Sequence, residues 1–355
     1  MTSPADSLGV PPSPIPLLAV GGSAGSLAPL VELVNNLPAD LGAAVLVCQH
    51  TSQEGRSHLP DILARRARLP AAWAVDFERL QNGRIYVAPP GRHLLVHDGR
   101  ARVSSGPRVN RHRPSVDVLF ASAAQSAGPA STAVVLSGVL DDGAVGAALV
   151  DLVGGQVWAQ DPASAEFDSM PRAALAAAPT ARIMTGVPLG RDVVTAVARG
   201  AATRASDLRP ATSDEGVAMQ AEFYDDPGFL RPGESGLTRL GCPECGGGLA
   251  RVDLPQISYF RCHVGHQYGP QSLAAAQAEA SEQKLWSAVA ALEEQAVVQG
   301  YLEGTEVPEA LDPVPAGTFR SSARELADRA TALRDQVHRW TSGVDPANPS
   351  EAAQS

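Results

Sequence analysis

Three short stretches of this 355-residue chain carry side chains able to support attack on a carbonyl group. Gly21-Gly22-Ser23-Ala24-Gly25 is a Gly-x-Ser-x-Gly string between an apolar run and a helical stretch, the setting in which a sharp turn exposes a serine at a helix N-terminus. Such a helix end also offers backbone N–H groups to a developing oxyanion. Val47-Cys48-Gln49-His50 ends a second apolar run in a histidine. Leu136-Ser137-Gly138-Val139-Leu140-Asp141-Asp142-Gly143 ends a third in two adjacent carboxylates. Serine to attack, histidine to take its proton and a carboxylate to orient the imidazole are the parts of a nucleophilic triad. Each stretch alone has a plainer reading. The first could be a Gly/Ser turn capping a helix or a phosphate-cradling loop, although the Gly-x-Gly-x-x-Gly and Gly-Lys-Ser/Thr spacings are missing. The histidine could be an ordinary loop residue, and an aspartate could serve only as an N-cap. Cys48, inside an apolar run, reads as an inert buried thiol.

A fourth cluster has metal-ligand spacing. Cys242-x2-Cys245 is followed, 16 residues on, by Cys262-x3-His266, a zinc-ribbon pattern. Three thiolates and an imidazole would close a tetrahedral site with no open position, hence a structural and not a catalytic zinc. His263 competes with His266, but its place directly beside Cys262 suits it poorly to share one ion. The plain alternative is three buried thiols without metal.

The elements that must position these residues follow from the pattern of apolar runs. Strands are expected at 16–20, 43–48, 85–88, 94–97, 133–136 and 156–159, with helices at 27–36, 57–66, 115–126, 143–153, 170–177 and 190–201. Continuous apolar strands alternating with helices imply a parallel sheet covered on both faces, a three-layer, doubly wound α/β domain over 15–201. The Ser23, His50 and Asp142 stretches then fall at the carboxyl ends of strands, where open α/β sheets gather their sites. Their chain order, Ser-His-Asp, differs from the Ser-acid-His order of α/β-hydrolases. The runs at 85–88 and 94–97, split by Pro89-Pro90-Gly91, are expected to pair as an edge hairpin. Residues 1–14 and 343–355 read as loose tails, and 202–237 as a linker with a short helix near Ala218–Phe223. A ribbon-like module at 238–270 and a helical hairpin at 271–342 follow. The apolar stripes Leu285/Val289/Leu292/Ala296/Val297 and Leu326/Ala330/Leu333/Val337 of that hairpin are expected to dock each other or a partner.

Composition sets outer bounds. A formal charge of −10 argues against a general nucleic-acid binder, and no run approaches the roughly 20 apolar residues of a membrane span. No basic residue precedes Arg56, so a signal peptide is not expected, and the expected compartment is the cytoplasm.

Taken together, residues 15–200 resemble the catalytic domain of the CheB-type protein-glutamate methylesterases of bacterial chemotaxis. The likeness rests on AVGGSAGS at 19–26, VCQH at 47–50, YVAPPGRHLLV at 86–96, HRPSVDVLF at 112–120, VVLSGVLDDGAVG at 134–146 and AQDPASAEFDSMPRAAL at 159–175. The resemblance implies hydrolysis of glutamate methyl esters on receptors, with glutamine deamidation in some members, and needs no catalytic cofactor. It makes Ser23 the nucleophile, His50 the general base and Asp142 its orienting acid, with Asp141 left as a cap or a solvated neighbour. The main-chain N–H groups of Val139 and Ala24 become the oxyanion donors. Cysteine segments like those at 242–246 and 260–266 also follow stand-alone domains of this type, in keeping with a structural zinc. Family members usually carry a receiver domain ahead of the catalytic one. Here about 15 residues precede the first strand, so the enzyme is expected to be either always open or controlled by its C-terminal part or a partner, with residues 238–342 adding nothing to the chemistry. The implied partner is a methylated chemoreceptor or a similar signalling protein. A non-enzymatic signalling adaptor and a phosphate-ligand binder are the rival readings.

Overall fold

A computed structural model describes residues 15–50, 57–184, 191–203, 237–303 and 318–341. The expected tails, the linker and the helix near 218–223 lie outside these described residues. Seven strands, β1 (Leu17–Gly22), β2 (Ala44–Gln49), β3 (Ala71–Trp73), β4 (Ile85–Val87), β7 (Ser131–Val135), β8 (Gln156–Gln160) and β9 (Arg182–Met184), form one parallel sheet in the order β3-β4-β2-β1-β7-β8-β9. The central strands are continuous apolar runs because both their faces are covered. On one face α1 (Leu27–Asn35), α2 (Leu59–Arg66) and α6 (Arg191–Thr203) pack with Leu18, Val20 and Val45. On the other α3 (Val116–Ala127), α4 (Ala144–Leu152) and α5 (Ser169–Ala177) pack with Leu17, Ala19 and Leu46. Chain direction across the sheet reverses at β1, which lies between β2 and β7. The carboxyl ends of these three strands carry Ser23, His50 and the 136–143 loop.

The expected hairpin of the runs at 85–88 and 94–97 does not form. β4 lies inside the parallel sheet between β3 and β2. β5 (His93–His97) pairs instead with β6 (Arg100–Ser104). The turn responsible is Asp98-Gly99, with φ +48° and +67°, a two-residue connection whose twist matches the strands it joins.

The cysteine-bearing segment is a four-stranded antiparallel sheet, β10 (Leu237–Gly241), β11 (Gly248–Asp253), β12 (Ser258–Cys262) and β13 (Gln267–Tyr268). Its β11–β12 end is seated on the α/β domain. Tyr259 is fully buried within the core cluster of the α/β domain, while Leu254 and Ile257 cover Ala144 and Ala148 of α4 and Ala177 of α5. These residues and the start of α7 (Pro270–Glu303) belong to one compact unit that ends at Leu273. In the second unit, α7 and α8 (Thr318–Thr341) lie side by side in opposite directions. Trp286 meets His338 edge-on at 4.9 Å, Glu293 is ion-paired with Arg334, and Val289, Ala330 and Val337 are buried. Among the described residues no helix is long and apolar enough to cross a membrane.

Candidate active site

The turn after β1 is pinned from both neighbouring strands. Ser23 donates its N–H to the Ser137 carbonyl at 2.9 Å, and the Gln49 amide donates to the Ser23 carbonyl at 2.8 Å. Ser26, wholly buried, donates its hydroxyl to that carbonyl and adjoins Gln49 Oε1 at 2.6 Å. Gly25 has φ +73°, and a Cβ there would strike Glu166 and Ser137, so this position requires glycine. The Ser23 and Ser26 N–H groups are thus taken up internally, which argues against a phosphate cradle built from this turn. Gly138 passes so close that a Cβ on it would lie 2.9 Å from Ser23 Cβ. Val139 and Ala24 are exposed beside it, and neither N–H meets an acceptor among the described residues. A cleft of about 740 Å³ opens from Ser23 along α1, walled by Leu27, Val31, Ile62, Arg66 and Glu166.

His50 donates Nε2–H to Asp142 Oδ2 at 2.7 Å and stacks on His112, with ring centroids 3.7 Å apart. Burial pushes His112 down to about 4, with the His50 charge acting in the same direction, so the stacked partner is neutral at pH 7. The second ring nitrogen of His50, Nδ1, is buried and accepts nothing among the described residues, leaving its lone pair available as a base. Ser23 Oγ makes no hydrogen bond to it, and contacts of this kind often tighten only with substrate.

Asp142 is the most heavily bonded carboxylate of the domain. Besides His50 it accepts from Asn110 Nδ2 (2.9 Å), Ser115 Oγ (2.8 Å), Val116 N (2.7 Å) and Asp117 N (3.1 Å). The last two are first-turn N–H groups of α3, so Asp142 caps that helix from across the sheet. Burial alone would push its carboxyl up, but the His50 hydrogen bond and charge hold it well below the usual carboxylate range. Asp117, in the first turn of α3, is buried beneath this cluster. It accepts from Asn110 at 2.7 Å and from the Gly146 N–H at 2.7 Å, and burial followed by the Asp142 charge pushes it up.

Asp141 is neither solvated nor the cap of α4, whose N-cap is Gly143 at φ +97°. It is buried, and its carboxylate accepts the Gln271 N–H (2.8 Å), the Ser272 N–H (3.0 Å) and the Ser272 hydroxyl, the first turn of α7. Gly269, just before, donates its N–H to Asn110 Oδ1 at 2.7 Å. Asn110 and Arg111, at φ +51° and +69°, form the tip of a tight turn closed by Val109 and His112, and the Asn110 N–H donates to the Gln267 carbonyl at 2.7 Å. The C-terminal segment therefore touches the residues around Asp142. Asn110, His112 and Ser115 went unassigned from sequence, although His112 and Ser115 lie in one of the stretches that carry the resemblance.

In the four-stranded sheet Cys242, Cys245, Cys262 and His266 present ligand atoms that all lie within 4.8 Å of one another. Cys245 and Cys262 sulfurs are 3.7 Å apart, and His266 Nδ1 is 3.7 and 3.5 Å from Cys242 and Cys262 Sγ. His266 Nε2 faces Glu244 at 3.2 Å. His263 is exposed and packs on Gly247, and its ring nitrogens are not among the grouped ligand atoms.

The CheB methylesterase family model matches residues 18–189. Over 162 residues the chain is 38% identical to a protein-glutamate methylesterase/protein-glutamine glutaminase of Xanthomonas euvesicatoria pv. vesicatoria, covering 44% of this chain and 45% of that one. Over 166 residues it is 36% identical to the protein-glutamate methylesterase FrzG of Myxococcus xanthus, covering 46% and 50%. The chain thus spans about half the length of these curated relatives. The CheB methylesterase catalytic domain of Thermotoga maritima aligns at 28% identity with a TM-score of 0.45, over 47% of this chain and 90% of that one. The matched segment, the parallel sheet with the Ser23, His50 and Asp142 strand ends, is a domain of the CheB methylesterase family.

Proposed function

We propose that this chain is a serine hydrolase that demethylates glutamate methyl esters, and deamidates glutamines, on a signalling receptor of the chemotaxis type. The observation that carries the reading is Asp142: buried, bonded by five donors, and holding His50 at 2.7 Å beside the Ser23 turn. On this reading His50 Nδ1 takes the Ser23 proton as Oγ attacks the ester carbonyl. Asp142 holds the Nε2–H tautomer and stabilises the imidazolium that forms. The Val139 and Ala24 N–H groups receive the oxyanion. His50 then returns the proton to the departing methoxide, and water, activated the same way, frees the glutamate and Ser23. The substrate segment occupies the α1 cleft. All four cysteines are free, which suits a reducing cytoplasm.

We further assign a structural zinc ion to Cys242, Cys245, Cys262 and His266. A tetrahedron with Zn–S bonds of about 2.3 Å has sulfur–sulfur edges of about 3.8 Å, close to the 3.7 Å separation of Cys245 and Cys262. Glu244 would fix the imidazole from behind. The ion would hold the two cysteine turns together and take no part in hydrolysis.

The deciding experiment incubates the chain with methyl-labelled receptors from its own cell and measures methanol release. Ser23→Ala is expected to abolish it; where serine and histidine act as a unit such losses approach ~10⁶-fold. Undiminished release by Ser23→Ala would overturn the mechanism.

A further inference from the structure

We infer that Gly269–Ser272, the junction between the cysteine-bearing sheet and α7, is a working part of the hydrolytic site, positioning Asp142 through Asn110 and through its chain neighbour Asp141. The inference rests on the hydrolytic reading above and adds a second requirement to it: the C-terminal segment must be seated for Asp142 to hold His50.

The Asn110 amide has two unlike ends. Its NH₂ donates to Asp142 Oδ1 and Asp117 Oδ2, which fills both hydrogens. Its carbonyl then points at Gly269 N–H, 2.7 Å away. Without that N–H the carbonyl would be a buried acceptor with no partner, and one of the contacts that fix the amide would be lost. A rotated amide would present oxygen to two carboxylates. The Gly269 N–H and the two carboxylates therefore favour the same orientation, the one in which Asn110 supports Asp142.

Asp141 supplies a second, separate link. Its carboxylate is fully enclosed, and its partners in α7, the Gln271 and Ser272 N–H groups and the Ser272 hydroxyl, all come from the junction. Withdrawing α7 would leave a buried carboxylate without its donors, a state that must relax by movement or protonation. Only one peptide unit separates Asp141 from Asp142, so movement of the first displaces the second. The glycine at 269 is required by the same contact, because a Cβ there would be driven into the Asp141 carboxylate. Two further contacts hold the junction in place: the Gln267 carbonyl receives the Asn110 N–H at 2.7 Å, and Tyr259 anchors the sheet in the α/β core. Asn110, Asp141 and Gly269 are thus positioning residues for Asp142, and the seated junction is the condition under which the site is complete.

The test uses the full chain and hydrolysis of p-nitrophenyl acetate, with the Ser23→Ala rate subtracted. Gly269→Val, which forces a side chain against Asp141, should lower kcat roughly 10–100-fold and leave KM within about twofold, because the α1 cleft is untouched. Ser272→Ala, which removes one donor and preserves the backbone, should lower kcat several-fold; it keeps the test alive if Gly269→Val does not fold. Ser272→Thr, which retains the hydroxyl, should restore most of the rate. A wild-type rate no higher than that of Ser23→Ala overturns the hydrolytic reading itself. Wild-type hydrolysis together with unchanged kcat in folded Gly269→Val or Ser272→Ala overturns only the positioning role.

Discussion

Adjacent aspartates here do different work at opposite ends of the same peptide unit. Asp142 is held ionised by His50 and by the α3 N-terminus, whereas burial pushes Asp141 up against the donors of α7. A carboxylate with five donors has little freedom, and that fixity is what an orienting acid requires. Asp142→Asn is expected to keep the Asp117 N–H contact but to present an amide to His50 and to the Val116 N–H, lowering the rate by about 10⁴-fold, as wrong-tautomer variants of triads do; rate measurements on a folded variant check this. A second consequence of burial is pH dependence of stability. Burial pushes His93, fully enclosed and bonded to the Pro107 carbonyl, down to about 4. Between about pH 6.5 and 4 the unfolded chain binds the proton that the folded chain refuses, so stability falls as pH falls through that window. The loss approaches about 3 kcal/mol for this one histidine, and His112 acts in the same direction. Denaturant melts at pH 7 and pH 4.5 should show the drop, and His93→Gln should reduce it.

Among the elements, what could be read directly from the chain follows run length. β1, β2, β7 and β8 are strands of five or six residues, each built on an apolar run of at least three, and the helices between them keep a helical period. β3 (Ala-Ala-Trp) and β9 (Arg-Ile-Met) are three residues each, too short for any periodicity to register. Arg100–Ser104 alternates, but two arginines hide it as a strand until Asp98-Gly99 is recognised as its turn. At the site, Ser23, His50 and Asp142 stand out because strand ends are legible. Asn110 does not, because its role depends on a residue 159 positions away. The seat of the cysteine sheet was hidden for the same reason: nothing local to Tyr259 marks it as belonging to another element's core. Metal analysis of purified protein is expected to find about one zinc per chain. Removing it, or Cys242→Ser, should loosen β10–β13 and, through the junction at 269–272, lower ester hydrolysis as well. Loss of zinc with an unaltered rate would show that the sheet keeps its seat without the ion.

Across the whole molecule, every residue placed around Ser23, His50 and Asp142 lies before Leu273, in the first compact unit. On the proposed function, a receptor held by the paired α7–α8 helices of the second unit would reach a higher effective concentration without added contacts at the ester. Two truncations separate these roles. A chain ending at residue 303 is expected to keep its rate on a small ester and lose rate on the receptor. A chain ending at residue 203 is expected to lose both. Equal small-ester rates for the two would place the whole C-terminal half outside the chemistry.

The span between Asp141 and its α7 partners also gives the site a birth time. The carboxylate at 141 waits for a hydroxyl 131 residues downstream, so a ribosome that has finished the entire parallel sheet has still not delivered a finished catalyst. From the end of the sheet at Met184 to Ser272 is 88 residues, roughly 4–18 s at about 5–20 residues per second. On the positioning inference, a nascent chain or early-released fragment in that interval would carry serine, histidine and aspartate together yet hydrolyse slowly. Arrival of the chain at Ser272, read out by one buried acid, would then set when hydrolysis reaches its full rate.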